Sequence, residues 1–291
     1  MIQAISNGNN QIPIDFLCSY LGVSRSGYYK WQSCKKPITF VRKEKLCAAI
    51  KKSFHESDKT YGSPRVYDDL MDKGFRVSEN TVAKYMKELG LDARLKKKFR
   101  VKTTDSNHNG PIADRLFKVE DHSSMPSAPG EVLAGDITYL KVGSKFLYLA
   151  VVIDIFTREV VGWSMQRSLH KKIVLDALAS AMTKTDPDAQ VIFHSDRGSQ
   201  YASEAYRKFC RKKNVLPSMS RRGNCYDNSY VESWFSSLKK EKIYRRNYRD
   251  ESELRASVFD YIERWYNRRR KHSALGYMSP MQYKQSYLAV R

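Results

Sequence analysis

The feature that most constrains the fold is a series of short apolar segments between residues 131 and 219. Three of them follow one another closely and have the pattern of β-strands: Val132–Val142, Phe146–Ile153 and Val160–Met165. After them, helices alternate with short strands: a helix over Lys171–Thr183, a strand that ends at Asp196, a helix around Glu204–Lys213 and a strand over Val215–Met219. This order predicts an α/β core with a mixed five-stranded sheet.

Three acidic residues occupy positions in this pattern where a site can form. Asp136 lies within the first strand, and Asp196 follows the apolar run 191–193. Glu232 lies on a helix that begins near Asn228, opposite an apolar stripe that contains Tyr230, Val231, Trp234, Phe235 and Leu238. Carboxylates are the oxygen ligands that Mg²⁺ takes in proteins. Periodicity alone does not show that the three acids converge, and a solvated surface position is the alternative for Glu232.

The order and spacing of these acids resemble a known catalytic set. Asp136, Asp196 and Glu232, with 35 residues between the last two, resemble the acidic triad of the retroviral integrase and bacterial transposase superfamily. The surrounding motifs are similar to one branch, the second-reading-frame transposases of bacterial insertion sequences: residues 136–139 (DITY), 194–201 (HSDRGSQY), 223–228 (GNCYDN), 232–233 (ES) and a basic residue at 239. The resemblance covers nearly the whole chain. One departure is Leu133, where the family often has tryptophan.

The resemblance implies a ribonuclease H-like core that cleaves DNA 3′ ends and transfers them to a target. In that mechanism Asp136 and Asp196 bridge two Mg²⁺ (or Mn²⁺) ions, Glu232 completes one shell, and no covalent protein–DNA intermediate forms. Lys239 is expected to contact the DNA beside the scissile bond. Two element ends must meet, so a homodimer or larger assembly on double-stranded DNA is expected. The family often also makes a frameshift fusion with an upstream product, and the sequence leaves open whether this chain does so.

The charge of the chain is segregated along its length. The net charge is +21, with 21 Lys/Arg against 10 Asp/Glu in residues 1–102, 17 against 15 in residues 103–235, and 14 against 6 in residues 236–291. A nearly neutral centre between two basic flanks fits a catalytic core that its neighbours hold on a polyanion. Nucleic acid is therefore the expected partner.

The pattern predicts four regions. Residues 1–102 form a basic, all-α region with helix-turn-helix-like units near 11–32 and 62–90, residues 103–128 a linker, 129–247 the catalytic core, and 248–291 a basic C-terminal helix and tail. In the second unit, Ser63-Pro64 and Ser78 begin helices that Gly74 and Gly90 end. Any small three-helix bundle has this outline, but the basic run 94–100 favours DNA binding.

Basic residues in four places are the candidate DNA contacts. They lie in the run after the helical region, in the polar loop 220–227, on the glutamate helix and beside aromatic residues near the C-terminus. They are Lys96, Lys97, Lys98, Arg221, Arg222, Lys239, Arg268, Arg269 and Arg270.

Several other polar residues have simpler interpretations. His194 is more often structural than catalytic at such a place, Asp154 is expected to begin a turn, and Asp227 to cap the glutamate helix. The five scattered cysteines are typical of reduced thiols in a cytoplasmic protein, and neither a membrane span nor a secretory signal is predicted. With the resemblance, this predicts a protein of the bacterial cytoplasm and nucleoid. The alternatives are an inactive transposase that acts as a DNA-binding repressor, and a nuclease on the same fold.

Overall fold

The computed structural model describes residues 13–33, 37–93, 111–221 and 225–290. Within these residues, five α-helices precede the sheet: α1 (Ile14–Tyr20), α2 (Arg25–Ser33), α3 (Ile38–Glu56), α4 (Ser63–Asp72) and α5 (Glu79–Glu88). Helices α3–α5 enclose a small core of their own, which we call the three-helix unit, around Leu46, Ile50, Phe54, Val66, Leu70, Val82 and Met86. The run 94–100, with Lys96, Lys97 and Lys98, lies outside the described residues.

The ends of α4 and α5 follow from their local sequence. The Ser78 hydroxyl accepts a hydrogen bond from the Thr81 N–H and caps α5. Gly74 and Gly90 follow the two helices with φ of +80° and +64°, a conformation that glycine adopts without strain. Ser63 is the first residue of α4, after an N-cap at Gly62. The predicted second unit therefore has the expected helix boundaries to within about one residue.

A five-stranded sheet follows, in the order β3-β2-β1-β4-β5. Its strands are β1 (Val132–Val142), β2 (Lys145–Asp154), β3 (Val160–Gln166), β4 (Val191–Ser195) and β5 (Val215–Met219). Strand β2 is antiparallel to its neighbours β1 and β3, whereas β4 and β5 run parallel to β1. The mixed sheet and every strand expected from the sequence are present.

Helices cover both faces of the sheet. One face packs on α6 (Lys171–Met182) and α7 (Glu204–Lys212), and the other on α8 (Ser229–Glu241) and α9 (Glu251–Phe259), which continues as a π-helical segment over Asp260–Tyr266. Gly162 of β3 lets α6 approach closely, because a Cβ there would lie 2.2 Å from the Ala177 carbonyl oxygen. The last helix is α10 (Pro280–Ala289). No helix in these described ranges is long and apolar enough to cross a membrane.

Two of the expected boundaries need correction. The described part of the predicted linker packs on the core: Phe117 is buried, and its N–H and that of Leu116 donate to the Ser218 hydroxyl of β5. The C-terminal region is also part of the core, since Leu254, Val258 and Ile262 are wholly buried in the same cluster as α8. Both segments cover apolar surface of the core that would otherwise be exposed to water.

The three-helix unit contacts the chain segment 265–271, which begins in the last turn of the π-helical continuation of α9. The ring of Tyr61 lies 5.7 Å from that of Trp265, and its hydroxyl donates to the Arg269 carbonyl oxygen. Lys271 forms ion pairs with Asp68 and Asp72 of α4. Arg65 of α4 lies 3.9 Å from Glu241 at the end of α8. The helical region is therefore joined to the core by aromatic packing and charge pairs.

Candidate active site

The register of β1 and β4 places two acidic residues at one edge of the sheet. Gly135 pairs with Ser195 in the parallel ladder, so Asp136 and Asp196 come next on neighbouring strands. Adjacent strands lie about 4.8 Å apart, which brings the two residues side by side. Both line a cavity of about 170 Å³. Gly135 is required at this point because a Cβ would lie 2.4 Å from the Phe193 ring.

The environment of Asp136 favours its protonated form. Its carboxylate is desolvated, and the negative charges of Asp196 and Glu232 add to that effect, so the pKa of Asp136 is raised well above its ordinary value. The Ile137 N–H donates to its Oδ1 at 2.7 Å, and this bond together with Lys239 acts in the opposite direction. Burial and the Asp136 and Asp196 charges also raise the pKa of Tyr201, so its hydroxyl stays protonated. A cation would relieve this concentration of negative charge.

The third acid is carried by α8. The helix has the predicted faces, with Val231, Trp234 and Leu238 buried and Glu232 exposed. Asn228, which precedes the helix, is buried, and its amide donates to the Gly135 carbonyl oxygen at 3.3 Å. This bond fixes the start of the helix against the residue before Asp136. The sequence predicts that the helix begins near Asn228 but does not predict this bond.

The acids do not converge equally. Asp136 and Asp196 share the cavity, whereas Glu232 lies outside its lining and acts on Asp136 through charge. Within the described ranges, no three His, Cys, Asp or Glu side chains are grouped closely enough to hold a metal ion. The Asp196 Oδ1 accepts the Gly198 N–H at 2.9 Å, which orients one member of the pair. The three-ligand metal set therefore stays a prediction.

Lys239 lies beside this site and not out in solvent. Its ammonium is 5.1 Å from the centre of the Tyr139 ring, and its side chain is half-buried. Burial lowers the pKa of Lys239, and the charge of Asp136 partly offsets that effect. The next residue, Lys240, is exposed. Lys239 thus brings a positive charge to the edge of the acidic cavity.

The sequence matches three family models. An integrase core domain model matches residues 126–225, an HTH-like domain model residues 42–99, and a second integrase core domain model residues 213–280, which include Glu232. The chain is 37% identical to the transposase InsF of insertion sequence IS3A from Escherichia coli (strain K12), covering 96% of each chain. This chain belongs to the insertion-sequence transposases.

One further relative and one solved structure are similar to this chain. A 31 kDa protein of the insertion element IS600 from Shigella sonnei is 39% identical to the transposase over 93% of this chain and 98% of the relative. Among solved structures, the simian T-cell lymphotropic virus intasome in complex with PP2A regulatory subunit B56 gamma is a distant match, with TM-score 0.46 and 15% identity over 72% of this chain and 67% of that chain.

Membership of this family confirms several predictions. The transposase is a DDE-type polynucleotidyl transferase with an integrase-type, ribonuclease H-like core after an HTH-like region. Nothing in the comparisons favours the alternative of an inactive repressor.

The predicted DNA contacts of the transposase separate into different groups. Arg268 and Arg269 are exposed. Arg221 is also exposed but bonds to Asp227 and Glu120. Arg222 lies outside the described residues, like Lys96, Lys97 and Lys98.

Arg270 is the clear correction. Only 4% of its surface is exposed, and its guanidinium makes a bidentate ion pair with Glu241, with Nη2 2.6 Å from Oε1 and Nε 2.8 Å from Oε2. The Tyr261 hydroxyl donates to the same carboxylate at 2.9 Å. Arg270 has no surface to offer to a phosphate and instead joins the C-terminal segment to α8. A basic run in the sequence does not reveal which member is turned inward.

Two other polar residues of the transposase have structural roles. Asp227 does not cap α8: its buried carboxylate accepts from Arg115 and Arg221, which neutralise it. His194 is fully buried, with Nδ1 2.9 Å from the Ser218 hydroxyl and its ring edge-on to Phe117. Burial lowers the pKa of His194 to about 4, so the ring is neutral near pH 7.

Proposed function

We propose that this transposase cleaves the 3′ ends of its insertion sequence and joins them to target DNA, with Asp136, Asp196 and Glu232 as the acidic residues of its active site. The observation that carries the proposal is the placement of Asp136 and Asp196 side by side in one cavity, with the charge of Glu232 acting on Asp136. The double-stranded DNA of the element ends and of the target is the substrate. This substrate places the enzyme on the nucleoid, in the bacterial cytoplasm.

The donor set fits divalent cations. Two carboxylates that repel each other in a desolvated place are stabilised by a hard cation. Phosphate oxygens of the DNA can complete the coordination shell of that cation. We propose that Asp136 and Asp196 hold two Mg²⁺ (or Mn²⁺) ions and that Glu232 contributes to one of them. The chemistry that such cations supply when bound is activation of the attacking oxygen and stabilisation of the leaving oxygen in an in-line displacement at phosphorus.

The chain's own residues orient the reaction around these acids. The Ile137 and Gly198 N–H groups donate to Asp136 and Asp196 and hold the two carboxylates in place. Asn228 fixes the start of α8, and so the position of Glu232, against Gly135. We propose that Lys239 binds a phosphate or base next to the scissile bond, and that exposed Arg268 and Arg269 bind the DNA backbone further away.

The assembly follows from the reaction. Two element ends must meet in one complex, so we propose a homodimer or larger oligomer on DNA. An upstream-frame product, free or fused to this chain, is the further partner to test.

Strand transfer is the decisive experiment. Labelled end DNA with a pre-cut 3′ end is incubated with Mg²⁺, a target duplex and the full chain, and joined products are separated by size. A transposase forms joined products, whereas a nuclease on the same fold only shortens the DNA. Asp196→Asn should form none and still bind the DNA. Joined products from Asp196→Asn would remove this acid from the site.

A further inference from the structure

The cavity of the acidic pair extends beyond the carboxylates. Its remaining wall includes Tyr139, Tyr148 and Leu169, which the proposed chemistry does not use. Tyr139 is three residues beyond Asp136 on the same strand, which is about 10 Å of extended chain. The cavity of about 170 Å³ therefore has an acidic part and an aromatic part, and we call the latter the aromatic pocket.

The two tyrosines are fixed side by side by the sheet. Tyr139 and Tyr148 are direct partners in the antiparallel β1–β2 ladder, so their side chains lie on the same face. Phe146 meets the Tyr139 ring edge-on, with centroids 5.5 Å apart, and the Lys239 ammonium lies over the same ring. Both tyrosines are half-buried, so each ring is supported and still presents surface to the cavity.

The rim of the pocket is polar. The side-chain amide of Gln200, in the loop after Asp196, donates to the Leu169 carbonyl oxygen at 3.3 Å. This bond ties that loop to the chain segment before α6. The pocket thus combines aromatic and aliphatic walls with amide groups at the rim and a cation nearby. A planar, partly polar group that is attached to a phosphate matches these features.

We infer that the aromatic pocket binds an unpaired nucleobase of the DNA strand, next to the phosphate that reacts at the acidic pair. The inference rests on the proposed function, which supplies the phosphate. A base inside a duplex is covered by its neighbours, so only a base that has left the stack can enter. Stacking on tyrosine offsets the loss of base stacking and tolerates any base sequence. Tyr139 and Tyr148 are thus positioning residues for the strand end.

A double-mutant cycle between protein and DNA tests the pocket. The full chain is titrated with fluorescent end DNA without divalent ions, so that binding is measured apart from chemistry. One DNA series carries an abasic site at each nucleotide flanking the scissile phosphate. Tyr148→Ala should weaken binding of intact DNA by about 5- to 150-fold and leave binding of one abasic DNA unchanged. Tyr148→Phe should bind like the wild type.

Two variants separate stacking from folding. Tyr148→Leu keeps apolar volume but has no ring, so it should bind as weakly as Tyr148→Ala while its thermal unfolding stays near that of the wild type. Phe259→Ala removes an aromatic ring that is 46% exposed on α9, and it should not change the response to abasic DNA.

The outcomes distinguish this inference from the proposed function. If abasic sites weaken the wild type and Tyr148→Ala by equal factors at every position, no base occupies the pocket and the inference is wrong. Full affinity of Tyr148→Leu for intact DNA would overturn it as well. If the cycle shows coupling but the wild type forms no joined products with Mg²⁺, the pocket is supported and the proposed function fails.

Discussion

The Lys239 ammonium lies 5.1 Å from the centre of the Tyr139 ring, three residues along β1 from Asp136. A cation over an aromatic face is held by the ring quadrupole, so this lysine has a defined position in a half-buried place. Helix geometry alone predicts only that residues 232 and 239 share a face, about 10 Å apart along the axis. The structure adds that the Lys239 side chain reaches Tyr139 of β1, close enough to Asp136 for the two charges to interact.

The first prediction concerns this lysine. Lys239→Ala should lower the rate of end processing by about 10- to 100-fold, because a charge-assisted contact to the DNA is lost. Lys239→Glu should be worse, since a carboxylate repels phosphate. The matched control is exposed Lys240→Ala, which should have only a mild effect. Neither alanine variant should change thermal stability much. Equal, small effects at both positions would exclude Lys239 as a DNA contact.

The second prediction uses the raised pKa of Asp136. Burial and the Asp196 charge make the folded state bind this proton more tightly than the unfolded state does. Stability should therefore fall as pH rises from the ordinary aspartate pKa towards the raised value, and the loss should be complete above it. Asp136→Asn removes this loss, so at pH 7 it should abolish cleavage and raise the unfolding temperature.

Mg²⁺ provides an independent readout of the same site. It should raise the unfolding temperature of the wild type more than that of Asp136→Asn, because a ligand stabilises the state that binds it. The control is Asp188→Asn, which changes an exposed aspartate away from the cavity and should keep both activity and the Mg²⁺ response. A lower unfolding temperature for Asp136→Asn at pH 7 would show that ionised Asp136 does not destabilise the folded state.

The strands and the buried faces were predictable because they depend on local patterns. An apolar run rich in β-branched residues marks β1, and the spacing of Val231, Trp234 and Leu238 marks the buried side of α8. Register is not local. The pairing of Gly135 with Ser195, and the bond from Asn228 to the Gly135 carbonyl oxygen, join residues that lie 60 and 93 positions apart.

Errors arose where polar or turn-rich sequence is buried by distant partners. The segment before β1 has the composition of a linker, yet Phe117 enters the core through bonds to Ser218. Arg270 lies in a basic run that is typical of a DNA contact, yet Glu241 neutralises it inside the protein. The charge of one residue does not reveal whether a carboxylate elsewhere in the chain, here 29 residues away, neutralises it. A basic run therefore predicts nucleic-acid binding for the run and not for each of its members.

The third prediction separates Arg270 from its neighbour. Arg270→Met should lower the free energy of unfolding by about 3–5 kcal/mol, because it leaves the Glu241 carboxylate buried without its partner. Arg269→Met, at an exposed position, should change it by less than about 0.5 kcal/mol but weaken DNA binding. Urea unfolding and a DNA titration measure the two effects. Adding Glu241→Gln to Arg270→Met should restore part of the stability, and equal stability of the two single variants would contradict the buried pair.

The last prediction concerns the HTH-like region. In a helix-turn-helix protein the second helix enters the major groove, and here α5 follows α4 and exposes Lys84 and Lys87. Lys84→Ala with Lys87→Ala in the full chain should weaken DNA binding. Each phosphate contact contributes about 0.9 to the slope of log K against log salt concentration, so the slope should become less steep by about 2. The titration is repeated across a range of salt concentrations.

A control with the same change in charge makes this test specific. Lys51 and Lys52 are exposed on α3, so Lys51→Ala with Lys52→Ala removes two positive charges from the same three-helix unit. General attraction between a basic protein and DNA predicts equal losses from the two pairs. A helix in the groove predicts a large loss from the α5 pair and a small one from the α3 pair, because charges farther than the Debye length of about 10 Å from DNA are screened. Equal slopes for both pairs would exclude α5 as the helix that reads the groove.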